Sequence, residues 1–215
     1  PITKVLPVFS VLTLAATGSG MDCGAVISNM DTNDKLVITH PDARPKASIL
    51  DPTYTYTVSA YQTAAGTADI MSHILETYFS RVGTAGLQDR MAEALLKTCI
   101  QYGPIACNDP ANYETRANLM WTSSLAINGL LSLGKGTPWS VHSMEHELSA
   151  YFDITHGVGL AILTPAWMRY VLDDSSVDKF AEYAFNVWNI PMSDDRYAMA
   201  REAIDRTQQF FTKEL

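Results

Sequence analysis

Residues 61–79 read YQTAAGTADIMSHILETYF, and this stretch decides the fold class. Its apolar residues recur at three- and four-residue spacing with few β-rich runs between them, the pattern of a helix with a buried face. The spacing predicts a helix over Tyr61–Phe79. Within it Asp69 and His73 stand four apart, so a carboxylate and an imidazole project from consecutive turns. Such a pair is commonplace on a solvated helix and acquires meaning only from the rest of the chain.

The helical texture begins at about Tyr56 and continues to the last residue. Asp109-Pro110 suggests an N-cap carboxylate followed by proline at the first helical position, opening a helix that Asn128-Gly129 and Gly134-Lys135-Gly136 would end. Further helices are expected over Gln88–Tyr102, Ser140–Phe152, Gly157–Leu172, Ser176–Trp188 and Ser193–Phe211. Upstream the texture differs. VLPVFSVLTL (5–14), GAVISN (24–29), KLVITH (35–40) and KASILD (46–51) are β-branched and apolar runs separated by Gly, Asn, Asp and Pro clusters, which predicts four short strands. The expected class is therefore mainly α: an all-helical domain over 56–215, preceded in 1–55 by the last strands of an α/β domain. The abrupt start at Pro1 and the helical character of QQFFTKEL lead us to expect a longer polypeptide at both ends.

Chemistry concentrates in VHSMEHELSAYFDITHG (141–157), which holds His142, His146 and His156, three of the five histidines in the chain. His142 and His146 share a helix face, and His156 follows a loop-like FDIT segment. With Asp69 and His73 they supply a carboxylate and imidazoles suited to divalent zinc or iron, with donors roughly 2.0–2.2 Å from the ion. His40, in a turn beside Pro41 and Asp42, reads as an ordinary hydrogen-bonded histidine. Glu76 is left outside the site, as a candidate to orient an imidazole or a solvated position; Glu145 and Glu147 read as structural, and Asp153 as a cap on the loop before His156. Trp139, Phe152 and Trp167 would give apolar surroundings or belong to the core. In LTLAATGSGMDCGAV (12–26) small residues would let backbone N–H groups approach an anionic or planar ligand, or make a tight hairpin turn; the GxGxxG dinucleotide pattern is not present.

Composition bounds the partners. The chain of 215 residues carries a net charge of −8, without the clustered Lys and Arg that nucleic-acid binding needs. Its three cysteines, Cys23, Cys99 and Cys107, are widely spaced and read as packing residues of a reducing, cytoplasmic compartment. No apolar run reaches the ~18 residues of a membrane span, so no membrane partner is expected.

The segments VLTLAATGSG (11–20), ILDPTYTYT (49–57), GTADIMSHILE (66–76), NYETRANLMWTSSLAINGL (112–130) and HSMEHELSAYFDITHGVGLAILTPAW (142–167) together resemble the iron-containing (group III) alcohol dehydrogenases, most closely their butanol dehydrogenase and aldehyde reductase branch. The resemblance implies metal ligands at Asp69, His73, His142 and His156, a catalytic His146 beside the nicotinamide, and nucleotide contacts from Thr13, Thr17, Ser19 and Lys35. It implies one divalent metal, Fe2+ or Zn2+, with NAD or NADP, an alcohol or aldehyde substrate, and a homodimer. Gly20 departs from the glutamate of the family's TGSE, and the family's NAD-or-NADP selecting residue belongs to a preceding segment. Metal and cofactor would together carry out hydride transfer, with a near-neutral His146 relaying the hydroxyl proton. Two other readings use the same residues: a metal-dependent hydrolase of phosphate esters, which lacks phosphate-holding Arg or Lys near the histidines, and an inactive metal-binding helical fragment.

Overall fold

The structure is a computed structural model that describes residues 2–81 and 83–215. Four short strands come first, β1 (Phe9–Val11), β2 (Gly24–Asn29), β3 (Asp34–Thr39) and β4 (Ala47–Ile49), followed by seven helices: α1 (Ala60–Tyr78), α2 (Gly86–Asn108), α3 (Tyr113–Ile127), α4 (Ser140–Phe152), α5 (His156–Val171), α6 (Val177–Asn186) and α7 (Arg196–Gln209). The mainly α class expected from the sequence is what the chain adopts. Among the described residues no helix is long and apolar enough to cross a membrane.

β1 pairs in parallel with β4, and β2 forms an antiparallel hairpin with β3, in register from Gly24–Thr39 to Asn29–Asp34. The small-residue segment after β1 is therefore no hairpin turn, because the strands it joins lie in different sheets. It is held from both sides: Ser48 Oγ donates to the Gly20 carbonyl at 2.7 Å, and the Ala15 carbonyl rests against α1 at Gly66. An added Cβ at Gly66 would lie 2.5 Å from that oxygen, so only glycine admits the approach. Gly20 is buried, and a side chain there, such as the glutamate that the resemblance implies, would press on the Leu12 side chain.

Helix α1 is the hub, packing against α2, α3, α4 and α5. Ser59 opens it, its Oγ accepting from the Gln62 amide at 3.2 Å. From Ala65 to Tyr78 every residue is buried. A helix enclosed on all sides must partner its polar groups, which is the physical reason that Asp69, His73 and Glu76 need explanation. The core spreads from Ile70, Ile74 and Tyr78 to Leu96 and Cys99 of α2, Phe180 and Tyr183 of α6, and Ile204 of α7. Trp167 joins it through Phe79, ring centroids 6.3 Å apart, and so is core. Phe152 is 70% exposed on the surface.

Two boundaries differ from expectation. Asp109-Pro110 does not begin a helix; Asp109 is the C-cap of α2, and Asn112 opens α3 with its Oδ1 accepting from the Thr115 amide at 3.2 Å. Asn112 wins because its side chain reaches the amide three residues on, whereas Asp109 still donates its own amide to the Ile105 carbonyl at 2.7 Å. Helix α2 also runs past Tyr102 through Pro104 to Asn108, since Gly103 and Ala106 are buried and packing offsets the amide that proline lacks.

Candidate metal and nicotinamide site

Three elements converge on one carboxylate oxygen. Asp69 and His73 come from α1, His142 from the first turn of α4, and His156 opens α5. The Asp69 Oδ1 lies 3.5 Å from His73 Nε2, 3.6 Å from His142 Nε2 and 3.6 Å from His156 Nε2. Donors ~2.1 Å from a common ion at tetrahedral angles stand roughly 3.4 Å apart, so these spacings match the edges of one coordination sphere. Asp69, His142 and His156 present donor atoms all within 4.8 Å of one another. His73 joins through Asp69 and stacks on His142, ring centroids 4.6 Å apart.

Asp69 Oδ1 and His142 Nε2 are buried without a hydrogen-bond partner. A cation between these two facing atoms would partner both at once. The carboxyl of Asp69 shows the same field: burial alone would raise its pKa, but His73, His142 and His156 outweigh it and hold the group at about 2. Burial pushes His73 down to about 4. His142 moves the other way, to about 9, because Asp69 and Glu76 overcome its burial. The residues present fit a divalent ion.

Two carboxylates that the sequence did not assign to the site stand behind it. Glu76 Oε1 accepts from the His142 backbone amide at 2.9 Å and pairs with its Nδ1 at 2.6 Å, so it orients His142 and is no solvated residue. Glu145, fully buried, pairs with His156 Nδ1. The Glu76 position after His73 carried a legible signal; for Glu145 none existed, because its partner lies eleven residues on, across a loop. Glu147 is exposed, and Asp153 is the left-handed C-cap of α4, at φ 50°. His40 Nδ1 accepts from the Asp42 amide at 3.2 Å, away from the cluster.

His146 sits one turn after His142, its ring centroid 5.5 Å from His156 and 6.4 Å from His142. Burial, then Lys35 and His156, holds its pKa at about 4, below the near-neutral value expected from the sequence. Lys35 reaches from β3 to α4, donating to Ser149 Oγ at 2.7 Å and standing 3.5 Å from Glu145 Oε2. Thr13, Thr17 and Ser19 are exposed along the segment between β1 and β2 and make no part of the imidazole cluster. Trp139 packs edge-on against His73 and His142, at 5.8 and 5.0 Å between centroids.

Comparison with known proteins agrees with this architecture. Residues 63–214 match the Fe-containing alcohol dehydrogenase family, C-terminal, and residues 1–52 match the iron-containing alcohol dehydrogenases. The chain is 66% identical over 214 residues to NADH-dependent butanol dehydrogenase B of Clostridium acetobutylicum, covering 100% of this chain and 55% of that protein. It is 41% identical to the NADPH-dependent aldehyde reductase YqhD of Escherichia coli, covering 98% of this chain and 54% of that one. The crystal structure of an NADH-dependent butanol dehydrogenase A from Thermotoga maritima superposes with a TM-score of 0.94 at 36% identity, over 99% of this chain and 53% of that chain. The chain thus spans about half the length of the curated relatives it matches. On the match over residues 63–214 and the shared helical architecture, the chain belongs to the iron-containing alcohol dehydrogenase family.

Proposed function

We propose that this chain is the metal-binding helical part, with the end of the nucleotide-binding part, of an NAD(P)-dependent oxidoreductase that interconverts primary, butanol-like alcohols and aldehydes. The helical part would run over 56–215 and the nucleotide-binding remainder over 1–55. The observation that carries the reading is the single oxygen of Asp69 facing three imidazole Nε2 atoms at 3.5, 3.6 and 3.6 Å. The names of the relatives, butanol dehydrogenases and an aldehyde reductase, support the substrate class.

Asp69, His73, His142 and His156 would hold one divalent iron or zinc ion. When bound, that ion would supply Lewis acidity toward the substrate oxygen, and the nicotinamide would carry the hydride. The chain's own residues do the rest. Glu76 holds His142 from behind, and Trp139 packs edge-on beside the two stacked rings. His146, whose ring stands 5.5 Å from that of His156, would relay the hydroxyl proton between substrate and solvent. Thr13, Thr17, Ser19 and Lys35 would contact the nucleotide; Lys35 also stands 3.5 Å from Glu145 and so adjoins the metal ligands.

The test is elemental analysis of the purified protein beside Asp69→Ala and His156→Ala variants. About one iron or zinc per chain, lost in both, is the expected outcome. Wild-type protein that takes up neither metal, or variants that keep it, would overturn the assignment.

A further inference from the structure

We propose that Glu145 is a positioning residue for His156, and that Gly159 exists to seat it. The inference rests on the metal reading above. His156 is the loosest of the four ligands, its side chain 28% exposed against 3–9% for Asp69, His73 and His142. Packing encloses this ring less than the other three ligands, so a directed contact has more to do in orienting it. Glu145 supplies that contact from the second turn of α4: its carboxylate is fully buried and pairs with His156 Nδ1. With Nδ1–H donating to a carboxylate, the imidazole is fixed in the tautomer whose Nε2 lone pair points at Asp69, 3.6 Å away.

The seat is built for this. An added Cβ at Gly159 would lie 2.7 Å from Glu145 Cγ and 2.9 Å from its Oε1, so a larger residue forces the Glu145 side chain out of this position. Gly159 lies three residues beyond His156 on the same helix, so the ligand and the seat move together. The buried negative charge is balanced by Lys35, whose Nζ stands 3.5 Å from Oε2 and is anchored on Ser149 Oγ at 2.7 Å. The same ammonium argues against a second cation on Glu145, His146 and His156, although their donor atoms lie within 4.8 Å of one another. Glu145 is thus a support for the first ion and no ligand of another.

The experiment is chelator competition with Zn2+ on the wild-type protein and on Glu145→Gln, Gly159→Ala, the double variant and His156→Ala, each checked for folding by circular dichroism. Loss of an orienting partner weakens metal binding on the order of 10–100-fold, and this is expected for Glu145→Gln and Gly159→Ala alike. The double variant should bind no more weakly than the worse single one, because both changes remove one contact. Wild-type affinity in Glu145→Gln and Gly159→Ala, with zinc lost in His156→Ala, overturns the inference and leaves the metal site standing. Losses that add overturn the shared seat. Zinc retained in His156→Ala, or never bound by the wild type, overturns the metal reading and this inference with it.

Discussion

Alanine at Gly66 separates the two halves of the proposed site. The new Cβ would lie 2.5 Å from the Ala15 carbonyl oxygen and 3.3 Å from the Ala16 Cβ, where ordinary contact begins at 3.4 Å. The oxygen must withdraw by the difference, about 0.9 Å, and as a backbone atom it takes the chain with it. The segment that moves carries Thr13, Thr17 and Ser19. Overpacking of this kind costs ~1–3 kcal/mol, while replacing a helical glycine by alanine returns ~1 kcal/mol, so stability falls by at most ~2 kcal/mol. Function is more sensitive, since a displacement near 1 Å costs on the order of 100-fold in catalytic efficiency. Urea denaturation, nicotinamide fluorescence titration and elemental analysis read the three quantities separately. We expect a stability loss of no more than ~2 kcal/mol, metal retained, and a nucleotide Kd raised at least about tenfold. Unchanged nucleotide affinity would refute the placement of the segment, and loss of metal would show that α1 gave way instead.

His146→Ala should keep about one metal per chain and lose roughly 10²–10⁴-fold in turnover; metal loss in elemental analysis would make His146 a ligand instead. Asp89, 5% exposed, accepts from Lys135 Nζ at 2.5 Å and Lys179 Nζ at 2.7 Å. Burial works to raise its carboxyl, but these two ammonium groups hold it below the ordinary carboxylate range. The stability it contributes is therefore present above the unfolded value of ~3.9 and lost as pH falls through the lower folded value. Asp89→Asn should cost ~3–5 kcal/mol at neutral pH, leaving Lys135 buried and uncompensated, and should flatten the loss of stability below about pH 4 in urea titrations. An unaltered acid limb would remove Asp89 from that role.

Much of this molecule was legible where local spacing carries the information. The four-residue step from Asp69 to His73 and the crowding of His142, His146 and His156 named the converging residues, and the apolar rhythm named all seven helices. What escaped was set by tertiary context. Pro104 reads as a stop, yet burial of Gly103 and Ala106 carries α2 through it. Asp109-Pro110 and Asn112 are both plausible starts, and only the reach of a side chain to an amide three residues on separates them. Glu76 was readable only as an orienting candidate or a solvated position, and Glu145 only as structural, because the imidazole each one holds comes from another element. The drop in the His146 pKa to about 4 likewise depends on burial and on Lys35, more than a hundred residues away.

Trp139 has an optical consequence. Its backbone is left-handed, at φ 52°, which swings the indole over the paired rings of His73 and His142. A protonated imidazole accepts an electron from an adjacent excited indole more readily than a neutral one does. The emission of this one tryptophan therefore reads the protonation of the histidines beside it without any label. Replacing it with phenylalanine should silence the signal while Trp121, Trp167 and Trp188 go on emitting, so the molecule carries its own indicator dye at the centre of its chemistry.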